Sequence, residues 1–354
     1  MTSTILTDRL ATEAKQVSVY RGVKTAALYT DKTAEFAVLR SGCGVYDLGW
    51  RAKIALTGDD RVRWLNGMIT NNVRDLAVGQ GVYGFVLTPQ GRIIADLYAY
   101  NRGDSLLVDS DQEQVPKLLE TFDHYIIMDD VEVTNVSDKL AAIGVTGPRS
   151  RTVLQKAGVD PGNLQALQFV DLTWNGTGLT VVRADLPGVE AYQLWLAPQN
   201  VTALWDALVR SGATPVGSDA FEALRIASGI PRFGVDIRER DLPQETGQDR
   251  ALNFSKGCYI GQEIVERIRS RGNVHRAFAG FRTEGDLPTP GAKVSRDGKD
   301  IGEVTSAAVL PSDPPCRVAL GYLRREFANP GTTVAIGNSP ATVDALPFSC
   351  AFNI

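Results

Sequence analysis

The chain is poor in the groups that build metal or disulfide frameworks. Its 354 residues hold four cysteines (Cys43, Cys258, Cys316 and Cys350) and two histidines (His124 and His275). No two cysteines form a CxxC pair, which argues against a structural zinc site, and no metal is expected. Four scattered thiols in a chain of this size argue against a disulfide framework. An excess of positive charge is also lacking, with 37 Lys and Arg against 41 Asp and Glu. A net charge of -4 lacks the basic footprint of a nucleic-acid binder, so no direct nucleic-acid partner is expected. No apolar run approaches membrane-spanning length, and Met1 to Leu10 lacks the hydrophobic core of a signal peptide. These absences predict a soluble, cytoplasmic protein with no membrane partner.

What is present is ample apolar material, 44% of residues, over a length that suggests two or three domains. Two segments share a pattern. Lys53 to Gly58 reads as a strand and a Thr-Gly turn before a helical pattern through Val62, Leu65 and Ile69, with Asp59 as its cap. Leu140 to Gly147 does the same before Val153 and Leu154, with Pro148 placed in the first turn. The pair suggests duplicated α+β halves. Val82 to Leu87 and Ile93 to Tyr100 flank Thr88-Pro89-Gln90-Gly91, a hairpin signal. After Gly272, six short β-like runs between Phe278 and Leu346 alternate with turns, the pattern of a small barrel. The expected organisation is an α+β region over 1–272, made of intertwined domains of about 1–140 and 141–272, followed by a β-barrel domain over 273–354.

The densest local signal is Lys256-Gly257-Cys258-Tyr259-Ile260-Gly261-Gln262-Glu263. Ile260, Ile264 and Ile268 recur every fourth residue, which predicts a helix with one apolar face and places Cys258 at or just before its N-terminus. The helix dipole and Lys256 would both favour a thiolate, while Glu263 opposes them. A thiol so placed is a candidate for redox chemistry, ligation or nucleophilic attack. The ordinary alternative is a small buried hydrophobe beside a glycine-rich connector.

The same stretch resembles the KGCYxGQE signature of the YgfZ family of folate-binding proteins, relatives of the glycine cleavage T-protein (aminomethyltransferase). Leu242-Pro243-Gln244-Glu245 is similar to that family's LPxE segment and Glu222 to Asp236 to its LRxExGxxxxGxD segment, with Ala227 in place of the glutamate. The likeness extends over nearly the whole chain. It implies a T-protein-like α+β fold with a C-terminal β-barrel, around a cavity for tetrahydrofolate or a one-carbon derivative of it.

The resemblance also assigns roles. Glu190 falls where T-proteins place a carboxylate against the paired donors of the pterin. Asp96 falls where they place an aspartate near the folate N5, able to steer a proton. By its own setting, Asp96 is a charge in an otherwise apolar strand, which must be paired, exposed or functional. Arg225 matches the family arginine and would meet a folate carboxylate or Asp96; a structural salt bridge is the competing role. Lys256 would attract the cofactor's acidic tail. Tyr83, Tyr98 and Phe233 offer rings to stack on the ligand or to pack the core. The hairpin departs from the T-protein GG-x-x-DD pattern at Gln90 and Ala95, which argues against aminomethyl transfer. The implied function is therefore a tetrahydrofolate-binding accessory protein that supports iron–sulfur cluster assembly or repair, including for tRNA-modifying enzymes. Its partners would be iron–sulfur client or assembly proteins. The alternative is a folate-dependent one-carbon transferase.

Overall fold

The computed structural model describes residues 2–272, 274–312 and 314–352. The chain divides into two compact units: residues up to Gly84 together with Asp96–Phe221, and Phe85–Ala95 together with Glu222 onward.

In the first unit both strand–turn–helix segments are present. Strand Arg51–Thr57 leads into helix Arg61–Met68, and strand Ala141–Thr146 into helix Ser150–Lys156. The cap expected at Asp59 is one residue later, at Asp60, whose carboxylate binds Arg63 and the Asp130 amide instead of capping the helix. Pro148 lies just before the second helix, which begins at Ser150.

Each strand belongs to its own sheet. The first sheet runs in spatial order Gly81–Leu87, Ile93–Asn101, Leu106–Asp111, Arg51–Thr57, Glu132–Asn135. The second runs Phe169–Trp174, Thr177–Arg183, Ala191–Leu196, Ala141–Thr146, Gly44–Asp47, Thr214–Pro215. Its core joins Val145, Val181 and Leu194 to Leu204, Trp205 and Leu208, the apolar stripe of helix Val201–Arg210. The period of two along Ile93–Asn101 buries Ile93, Ala95, Leu97 and Ala99, and leaves Asp96 and Tyr98 half-buried on the opposite face.

The second unit carries the barrel. Arg276–Thr283, Cys316–Arg324, Lys299–Leu310, Lys293–Arg296, Thr333–Ile336 and Ser339–Asp344 close into six strands, the last pairing back onto the first. Phe281, Val294, Leu323 and Val343 fill its interior. Closure removes the exposed edges that an open sheet would present. Cys316 pairs with Cys350 across 34 residues. Cysteine spacing alone argued for no such bond; the barrel strand Cys316–Arg324 and the short helix Ser349–Phe352 bring the two together. Among the described residues no helix is long and apolar enough to cross a membrane.

The helix of the Lys256–Glu263 stretch begins at Gln262, with Gly261 as its N-cap. Cys258 is therefore four residues ahead of it, outside the first turn where a helix dipole acts. Gly261 has φ +82°, and a Cβ there would stand 2.6 Å from the Thr88 carbonyl oxygen of the hairpin turn. Gly91 of that turn has φ +72°, and its Cβ would stand 2.8 Å from that of Ile264. The two glycines thus let the hairpin turn and the helix start approach backbone to backbone, across 170 residues of chain. Gly261→Ala should destabilise the protein by about 1–3 kcal/mol from left-handed strain alone. Urea denaturation measures this, and an unchanged midpoint would refute the close approach.

Candidate functional site

Asp96 is the most elaborately held of the predicted site residues. Its Oδ2 accepts the Tyr83 hydroxyl at 2.8 Å and its Oδ1 accepts Gln114 Nε2 at 2.7 Å. Its own N–H donates to Gln114 Oε1 at 2.9 Å, and its carbonyl accepts from Ser110 Oγ at 2.8 Å. The rings of Tyr83 and Tyr98 lie 4.9 Å apart, so three predicted residues come together here. Burial pushes the Asp96 carboxyl above the usual carboxylate range and the charge of Asp111 adds to this, while Gln114, Tyr83 and Arg51 oppose it. The result is a half-buried carboxyl group that holds its proton more tightly than a free aspartate does, a shift in the direction that suits a group exchanging a proton with a ligand.

Behind it lies a buried ionic cluster that sequence reasoning missed. Arg51 binds Asp109 at 2.9 Å and Asp111 at 2.6 Å, Lys53 binds Asp109 at 2.8 Å, and Arg21 binds Asp111 at 2.7 Å. Lys53 and Asp109 are fully buried. Burial alone would raise the Asp109 carboxyl, but the Arg51 and Lys53 charges override it and hold it below its ordinary range. The signal was available: Lys53 is a charge at the head of the apolar run Ile54-Ala55-Leu56, the same anomaly that singled out Asp96.

Glu190 immediately precedes the strand Ala191–Leu196. Its Oε1 accepts the Tyr192 hydroxyl at 2.6 Å and Arg151 Nη2 at 3.4 Å. Burial, with the Glu190 hydrogen bond and charge, pushes the Tyr192 hydroxyl up to about 12, so it remains a donor. Among the described residues no group donates to Oε2, and the side chain is 26% exposed, so the carboxylate can meet a ligand.

Arg225 makes the contacts of the structural salt bridge, the competing role that the sequence offered for it. It is 2% exposed. Its Nε and Nη2 grip Glu222 at 3.0 and 2.7 Å, Nη1 binds Asp236 at 2.7 Å and the Ile230 carbonyl, and Nη2 also reaches Ser306 at 3.0 Å. Five N–H groups meet five acceptors, which leaves none for a folate carboxylate or for Asp96. Phe233 is half-buried in a turn and bridges to Ile237. Lys256 is buried, with Nζ 5.0 Å from the centre of the Tyr259 ring. Cys258 is an exposed free thiol.

Residues 6–256 match the profile of the GCVT N-terminal domain, and residues 276–349 match that of the glycine cleavage T-protein C-terminal barrel domain. The chain belongs to the glycine cleavage T-protein family. An aminomethyltransferase of Halothermothrix orenii is 29% identical over 330 residues, covering 90% of each chain. One of Rubrobacter xylanophilus is 29% identical over 336 residues, covering 93% of this chain and 89% of the relative. The crystal structure of the glycine cleavage system aminomethyltransferase T from Bartonella henselae superposes with a TM-score of 0.89 at 21% identity, over 98% of both chains. The T-protein fold expected from the sequence is therefore the fold present; the narrower YgfZ assignment has no such support among these relatives.

Because burial raises the Asp96 carboxyl in the folded protein, this residue contributes stability at acid pH that is lost as the pH rises through its folded value. Asp96→Asn is neutral at every pH and keeps an acceptor for Gln114. It should melt above wild type at pH 7–8, with the gap closing as the pH falls toward the ordinary aspartate value of about 3.9. A gap that does not change with pH would show that Asp96 is not so perturbed.

Proposed function

We propose that this protein binds reduced folate and acts as a folate-dependent one-carbon transferase, of which aminomethyl transfer is the leading form. The carrying observation is the Asp96 carboxyl, fixed between the Tyr83 hydroxyl and the Gln114 amide, with burial raising it above the usual carboxylate range. It suits delivery or removal of a proton at a ligand nitrogen. Similarity to aminomethyltransferases over nine-tenths of the chain supports the same reading. The departure at Ala95 weighs less than its sequence suggested. Ala95 is fully buried on the other face of the strand from Asp96. An acidic residue there would not point where Asp96 points, and Asp111 already supplies the neighbouring negative charge. Glu190, whose Oε2 has no donor among the described residues, is the group proposed for the pterin donors.

Glu190→Ala should weaken tetrahydrofolate binding by about 1–3 kcal/mol, the cost of leaving buried donors unpaired. Calorimetry decides this, and unchanged affinity removes Glu190 from the site. Wild type supplied with tetrahydrofolate and aminomethylated carrier protein should turn over at about 1 per second or faster. Folate binding without turnover would leave a folate-binding accessory protein.

That second reading, support of iron–sulfur cluster assembly or repair, is favoured by one observation: the exposed Cys258 in its glycine-flanked loop. A single thiolate cannot hold a cluster, so Cys258 would act with a partner's ligands or as a redox thiol. Cys258→Ser should leave folate binding and one-carbon transfer intact under the transferase reading. Loss of iron–sulfur enzyme activity in cells that carry only this variant would favour the accessory role.

A further inference from the structure

We propose that Gln114 is the positioning residue of the Asp96 site: its carboxamide latches both the main chain and the carboxyl group of Asp96, and with Tyr83 holds that carboxyl in a single orientation toward the ligand. The inference rests on the folate reading above for its ligand, and on the unliganded protein for its geometry.

Gln114 ends the short turn Gln112–Gln114, which follows strand Leu106–Asp111 directly, and it is 5% exposed. The ladder between this strand and Ile93–Asn101 pairs Tyr98 with Asp109, Ala99 with Val108, and onward to Asn101 with Leu106. Asp96 lies beyond those pairs. Its N–H and C=O go to side chains instead, at 2.9 Å to Gln114 Oε1 and 2.8 Å from Ser110 Oγ. The same Gln114 amide then donates Nε2 to Asp96 Oδ1 at 2.7 Å, closing a ring of two hydrogen bonds. Only one amide orientation satisfies both, because a flipped amide would set NH2 against N–H and oxygen against carboxylate. Tyr83 occupies the second carboxyl oxygen. Among the described residues each oxygen thus has one protein donor and keeps a lone pair, and rotation of the carboxyl would break both bonds. A carboxyl group on a half-buried strand face has no such restraint from the backbone alone.

The charged and titratable groups around it are Tyr83 on the hairpin, Asp111 on the adjoining strand and Arg51 on the strand beyond. Arg51 is shared with Asp109 and Asp111, Arg21 binds Asp111, and Lys53 binds Asp109. Asp111 disfavours the ionised carboxyl; Arg51, Tyr83 and Gln114 favour it. Removing the Gln114 donor must therefore move the Asp96 titration upward.

The test is a carbon-13 NMR titration of the aspartate carboxyl carbons in the unliganded protein, with the Asp96 signal assigned from its loss in Asp96→Asn. Gln114→Met, similar in length and without hydrogen bonds, should raise the Asp96 midpoint by about 1 pH unit or more, as expected for loss of a hydrogen bond to a charged acceptor. Gln114→Glu keeps the acceptor for the Asp96 N–H but sets two carboxyls together. It should give two coupled steps, one of them well above the wild-type midpoint. This variant decides the matter if Gln114→Met fails to fold. An Asp96 midpoint unmoved in either folded variant overturns the proposal. The pH profile of tetrahydrofolate affinity should shift with the carboxyl in the same variants. A moved carboxyl with an unmoved affinity profile would also overturn the positioning role. Failure of wild type to bind folate at all defeats the folate reading, while the titration still decides whether Gln114 holds Asp96.

Discussion

The pairing of Lys53 with Asp109 and of Arg51 with Asp111, at the centre of the first sheet, constrains everything around it. Both pairs sit directly opposite each other in the antiparallel register. Buried charges are tolerated only with partners in good geometry, so these strands have one workable alignment. A slip of one residue would turn the charged face into the apolar one and strand every charge. Lys53 further reaches the Trp195 ring of the second sheet at 4.6 Å, which ties the two sheets of this unit at one buried point. With the register locked, Ser110, Asp111 and Gln114 arrive where Asp96 needs them.

The second unit uses the same device for a different end. Arg225, Asp236, Thr305 and Ser306 form a closed network at the bulge where the long barrel strand shifts register between Val304 and Ser306. A bulge re-aims side chains, and here it turns two successive hydroxyls onto one aspartate. Every donor of Arg225 is used, so the network stabilises the unit and offers nothing to a ligand. Asp96 and Glu190 differ from it by having protein partners and spare acceptor capacity at once. That difference, and not charge or burial alone, separates groups suited to chemistry from groups that hold the fold.

The fold was largely legible in the sequence because its signals are local. Alternation along Ile93–Asn101, the Thr-Pro-Gln-Gly turn and the six short runs after Gly272 each report a period or a turn that depends on neighbours in the chain. Which of its two candidate roles Arg225 would take was not legible, for the opposite reason. Its acceptors include Asp236 and Ser306, and no spacing rule says which distant acceptor an arginine will meet. Gln114 was invisible on the same ground: a glutamine in a polar stretch has no anomaly to mark it. The Cys316–Cys350 bond likewise needed the barrel to bring its ends together.

By itself, the sequence determined the kinds of element, their order, the closed barrel and the carboxylate at position 96 as a group needing an explanation. These follow from side-chain periodicity and from the cost of a lone charge in an apolar strand, both properties of contiguous residues. The tertiary structure decided which charges are spent on each other and which remain available. It placed Cys258 four residues ahead of its helix, engaged the donors of Arg225 within its own unit, and surrounded Asp96 with Tyr83, Ser110 and Gln114. Those outcomes depend on distances of a few ångströms between residues far apart in the chain, and the energy of a charge or hydrogen bond depends on those distances and on burial, neither of which one-dimensional order encodes.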